Sequence, residues 1–70
     1  GRFEDAIQWF RRAIEIEPEL AAAHVNLARA HLLTGQPEAA VAAARRAVEL
    51  DPPNQGYRDT LAQAEAALQP

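Results

Sequence analysis

The side chains able to do chemistry are few. The chain has two histidines, His24 and His31, and neither cysteine nor serine. The histidines are seven residues apart. On a helix that spacing places them on one face but about 10 Å apart along the axis. One metal ion cannot bridge that gap, and the HExxH spacing of zinc enzymes is absent. Both rings are therefore expected to serve as packing groups. Thr34 and Thr60 have no base to activate them if the histidines are committed to packing. A catalytic site needs a nucleophile with its base, a phosphate-cradling loop or convergent acids. None is visible, so no catalytic residue, metal or cofactor is expected, and the chain does not read as an enzyme.

The charged residues point the same way. The net charge is −3, and all seven basic residues are arginine. A nucleic-acid binder carries a basic surface, so nucleic acid is not an expected partner. No apolar run approaches the roughly 20 residues a membrane span requires. The opening Gly1-Arg2-Phe3-Glu4-Asp5 has no signal-peptide character. A cysteine-free chain leaves the compartment open.

Arginine occurs in two pairs, Arg11-Arg12 and Arg45-Arg46, an offset of 34. That offset runs through the chain. Laid against residues 35–54, residues 1–20 match without a gap at Gly1/Gly35, Glu4/Glu38, Ala6/Ala40, Ala13/Ala47, Glu15/Glu49, Pro18/Pro52 and both arginine pairs. Ile7/Val41, Ile14/Val48, Ile16/Leu50 and Glu17/Asp51 are conservative. Residues 21–34 match residues 55–68 only at Leu27/Leu61, Ala28/Ala62 and Ala30/Ala64. The second copy keeps packing positions and changes the rest, as a terminal repeat does when nothing covers its outer face. The arginine pairs are expected to be solvated, with Glu15 and Glu49 in reach along each helix.

The elements that carry these residues are helical. Apolar residues recur at spacings of three and four: Phe3, Ile7, Phe10 and Ile14; His24, Leu27, Ala28 and His31; Ala40, Val41, Ala44, Ala47 and Val48; Tyr57, Leu61, Ala64 and Leu68. The pattern predicts four helices over about 3–16, 21–34, 37–50 and 56–68. Gly35 suits a helix end that needs positive φ, and Pro37 suits a first turn. Pro18 and Pro52-Pro53 stop the first and third helices. Short connections make consecutive helices antiparallel. The fold class is all-α, an antiparallel helix–turn–helix repeat stack.

Residues 21–54 resemble one whole tetratricopeptide repeat, with Leu27, Ala28, Gly35, Ala40, Ala47 and Pro52 at its small and apolar places. Residues 1–20 resemble the second half of a preceding repeat, carrying Gly1, Phe3, Ala6, Phe10, Ala13 and Pro18. Residues 55–70 resemble a first or capping helix, so residues 1–70 read as a single domain. His24, His31 and Ala44 stand where the family often has aromatics. The resemblance implies a right-handed superhelix with a concave groove for an extended peptide or a helix. It places Ala22, Val25, Asn26, Arg29, Leu32 and Leu33 along that groove, then Asp59 and Gln63, with Gly56 at its mouth. Some members grip a chaperone's terminal carboxylate with Lys, Asn and Arg from three repeats. Only Asn26 and Arg29 match that set in type, and Asp59 has the wrong sign, so a partly apolar peptide with one acid near Arg29 is the better expectation. Alternatively Arg29 pairs with Asp59 or stays solvated.

The function expected is a non-catalytic protein-interaction module for a protein or peptide partner. The alternatives are a structural self-assembly element and a regulatory appendage of a larger repeat protein. Self-association would use Ala6, Trp9, Phe10 and Ala13, an edge of the first helix expected to be poorly covered.

Overall fold

The helices follow from their punctuation. The structure, a computed structural model, describes residues 2–69. It contains α1 (Arg2–Ile16), α2 (Ala21–Leu33), α3 (Pro37–Leu50) and α4 (Gln55–Ala67), with no strand among the described residues. Each boundary falls within one residue of the sequence expectation. Gly1, which the repeat pairs with Gly35, lies outside the described residues.

The α2–α3 turn shows why the chain breaks where it does. Thr34 closes α2, and its Oγ1 donates to the carbonyls of Ala30 and His31 at 3.0 and 3.2 Å. Gly35 follows at φ 72°. The Gly35 N–H donates to Leu32 O at 3.3 Å and the Gln36 N–H to His31 O at 2.8 Å. This is the Schellman pattern, which satisfies carbonyls that the helix end would leave bare. Pro37 then occupies the first turn of α3, where no N–H is needed. α4 is capped at its other end: Asn54 Oδ1 accepts from the Tyr57 N–H at 3.1 Å.

Packing is built on alanine. Ala28, Ala40, Ala44, Ala47 and Ala64 are 0% exposed. Ala28 meets Ala43 and Ala44 with Leu27 and Leu61 against them, while Ala40, Val41 and Ala64 form a second cluster with Leu32 and Leu61. Small side chains let helix axes approach near the 8 Å limit of helix packing. Consecutive helices pack on one another, and α2 also packs on α4. No Cα of α1 lies within 8 Å of one in α3. The result is a slab of 35 × 32 × 15 Å. Two stripe positions fall outside the core: Phe3 and Leu68 are exposed.

Candidate peptide-binding surface

Both histidines are buried. His24 Nε2 donates to Pro18 O at 2.8 Å, tying the start of α2 to the preceding turn. His31 is 3% exposed, and its Nδ1 has no hydrogen-bond partner. Burial pushes its pKa below the usual histidine value, and the Arg11 charge adds to the effect. Both rings therefore fill space within the helix packing. Thr60 is buried too, and its hydroxyl donates to Gly56 O at 3.0 Å.

α2 is the central helix, and its side chains divide by neighbour. Ala22, Arg29 and Leu33 are exposed and Asn26 is half-buried. They lie at i, i+4, i+7 and i+11, one face of the helix. On α4, Gly56, Asp59 and Gln63 are exposed. α2 and α4 pack side by side, so a chain lying along α2 is within reach of α4.

Two residues expected along the groove belong elsewhere. Val25 is 2% exposed and offers no surface to a ligand. It is core, because α2 is flanked by three helices and has little free circumference. Leu32 is half-buried against Ala40, Val41 and Ala64. Arg29 does not pair with Asp59. Among the described residues Arg29 makes no ion pair, and Asp59 Oδ1 accepts instead from Gln55 Nε2 at 2.8 Å.

The arginine pairs differ in their surroundings. Arg46 pairs with Glu49 at 3.5 Å along its helix, and Arg45 reaches Glu65 of α4 at 3.9 Å. All four of these side chains are exposed, so each pair contributes little. Arg11 and Arg46 flank a shallow apolar hollow of about 510 Å³ over Ile14, Leu27, Ala39, Ala42 and Ala43. It exists because α1 and α3 stand apart. Sequence reasoning missed this hollow. The available signal was Ala39 and Ala42, which replace Asp5 and Gln8 of the equivalent helix. A second, larger hollow of about 780 Å³ lies on α1 beside Trp9 and Arg12. Trp9 itself is 74% exposed, while Ala6, Phe10 and Ala13 are half-buried.

Among the described residues no helix is long and apolar enough to cross a membrane. Among curated proteins, the Hsp70-Hsp90 organizing protein of Triticum aestivum is 35% identical over 66 residues, 94% of this chain. Those residues are 11% of that protein, so the chain spans a small part of the relative it matches. The tetratricopeptide repeat model matches residues 1–64. With the offset of 34, the glycine turn after α2 and the paired antiparallel helices in register with that match, the chain belongs to the tetratricopeptide repeat family.

Proposed function

We propose that the chain holds a partner's peptide along the exposed face of α2, with an acidic group of the peptide at Arg29. The family supplies the coarser part, because tetratricopeptide repeats are generally non-catalytic protein-interaction modules. The observation that carries the finer part is Arg29. It is an exposed, unpaired cation between small and apolar neighbours, Ala22, Asn26 and Leu33, on one helix face. A guanidinium so placed can take a carboxylate through two parallel hydrogen bonds. The contact residues are Ala22, Asn26 and Arg29 on α2 with Gln63 on α4. Asp59 lies at the border and disfavours a second acid there.

The relative's description as an Hsp70-Hsp90 organizing protein is compatible with a peptide partner. A multi-carboxylate clamp is not proposed, since the chain has no lysine and Asp59 opposes one. The test uses dye-labelled synthetic peptides rich in Leu and Val, with and without one central Glu. Arg29→Ala should weaken the Glu peptide about tenfold, the worth of one charged hydrogen bond. It should leave the Glu-free peptide unchanged. Equal affinity of wild type and variant for the Glu peptide removes Arg29 from the site.

A further inference from the structure

Three helices build the hollow between α1 and α3. α2 packs on both of them and supplies the floor, with half-buried Leu27 and the edge of His24. α1 supplies one wall with Arg11, Ile14 and Glu15, at i, i+3 and i+4 of one face. α3 supplies the other with Ala39, Ala42, Ala43 and Arg46, again one face. At about 100° per residue, His24 and Leu27 lie on the opposite side of α2 from Ala22, Asn26, Arg29 and Leu33. The hollow is therefore a surface separate from the one that carries Arg29.

The charges around it differ from those of the whole chain. The net charge is −3, yet the hollow is rimmed by two arginines and one glutamate. Arg11 makes no ion pair among the described residues. Arg46 meets Glu49 at 3.5 Å, with both side chains about half exposed. Such a contact is weak, so the guanidinium can turn to a second carboxylate. The arginines stand on opposite walls with apolar surface between them.

We propose that this hollow seats an amphipathic helix of a partner protein. Two leucine-like side chains of that helix enter between α1 and α3, and carboxylates on its flanks meet Arg11 on one wall and Arg46 on the other.

The lining favours a helix over an extended chain. Its residues all stand on helices, which use their main-chain groups internally. His24 Nε2 is already spent on Pro18 O. An extended segment pressed against this surface would find no partners for its own peptide groups, and that costs free energy. A helix satisfies those groups within itself. The alanines of α3 let its axis come near the 8 Å limit of helix packing, while Ile14 and Leu27 supply bulk to pack against. A small molecule fits less well, because a shallow hollow leaves much of it in water. Leu at i and i+4 with Glu at i+1 and i+3 puts one apolar ridge between acids about 80° to either side. Glu15 lies one turn beyond Arg11 and repels an acid placed further along that wall.

The test is a titration of the chain with a dye-labelled, alanine-rich helical peptide. Its centre reads Leu-Glu-Ala-Glu-Leu, and a second peptide has Gln in place of both Glu. Wild type should bind the Glu peptide about tenfold more tightly, the sum of two exposed ion pairs. Arg11→Gln combined with Arg46→Gln should remove that preference and leave the Gln peptide unchanged. Ala42 is exposed, and Ala42→Gln installs the residue found at the equivalent position 8. It should weaken both peptides about tenfold by filling the hollow, with the urea midpoint showing that the variant is folded. In heteronuclear spectra the amides of Leu27, Ala39 and Ala42 should shift on titration, and those of Asn26 and Gln63 should not. No binding at millimolar Glu peptide overturns the proposal. Shifts confined to Asn26, Arg29 and Gln63 also overturn it, since they put the peptide on the opposite face of α2. A wild-type chain that dimerises alone and becomes monomeric on Ala42→Gln gives the hollow to a second copy, and overturns it as well.

Discussion

Replacing Gly35 by alanine isolates one term in the stability of the repeat turn. Gly35 sits at φ 72°, and a Cβ built there meets nothing within 4 Å. Packing is therefore unaffected, and only the backbone conformation is tested. An L-residue in the left-handed region costs roughly 1–2 kcal/mol. Part of that returns, because alanine reduces the freedom of the unfolded chain by about 0.4–1 kcal/mol. The net expectation is a loss of about 1 kcal/mol. Gly56 provides the opposite sign. It lies in the first turn of α4 with ordinary φ, and its added Cβ would be 3.4 Å from Asn54 Oδ1, van der Waals contact. Gly56→Ala should therefore gain about 0.5 kcal/mol. Urea unfolding separates the two. With a slope near ~1 kcal/mol/M for so small a chain, the midpoint should fall by about 1 M for Gly35→Ala and rise by about 0.5 M for Gly56→Ala. The Gly35→Ala loss corresponds to roughly 4–8 °C in Tm. If Gly35→Ala leaves the midpoint unchanged or raises it, the left-handed closure of α2 does not control the turn.

His31→Phe should raise stability by about 1 kcal/mol at neutral pH, because it removes a buried nitrogen without a hydrogen-bond partner. It should also flatten the acid side of the pH profile. The folded pKa of His31 lies below the ordinary 6.5, so as pH falls through 6.5 the unfolded chain takes up the proton first. Wild-type stability should decline from about pH 7.5 downward and level off below the folded pKa. Urea midpoints at pH 8 and pH 5 check this, and a variant with the wild-type slope clears His31 of the effect. Ala44→Leu should cost about 1–3 kcal/mol by overpacking a fully buried site between α2 and α3, although the repeat holds Phe at the equivalent position 10. Thermal unfolding of the variant is the check, and an unchanged Tm would mean that the alanine contact has slack.

Much of the fold was legible because punctuation and repetition agree. Gly35, Pro37, Pro18 and Pro52-Pro53 mark ends that the backbone then adopts. The repeat sets the order of helices, and the matched alanines set the places of close approach. The surface was less legible, and α2 shows why. Ala23, His24, Val25, Ala28, Ala30 and His31 are buried on that one helix. A helix with three neighbours is apolar nearly all round, so its pattern does not say which sector remains open. The family resemblance places Val25 along the groove, and the apolar pattern of α2 carries no signal against it. The hollow above Ala39 and Ala42 depends on the gap between α1 and α3, helices that are not consecutive. No local pattern encodes such a separation. Arg29 is legible as a cation on α2, but the hydrogen bond from Gln55 to Asp59 is a side-chain arrangement that the sequence alone does not specify.

α1 is held by α2 alone, while each of the other helices packs on two or more neighbours among the described elements. In a stack whose cohesion is a sum of neighbour terms, a helix with a single attachment opens without the rest. α1 therefore detaches at a lower free energy than global unfolding requires. Its amide hydrogens exchange through that partial opening, and those of α2 and α3 wait for the whole molecule. When α1 lifts away, the face of α2 that it covers is bared, and the described elements momentarily become a three-helix unit of α2, α3 and α4. Among the described helices lifetimes are thus unequal: α4 is anchored to two helices, and α1 leads the exchange.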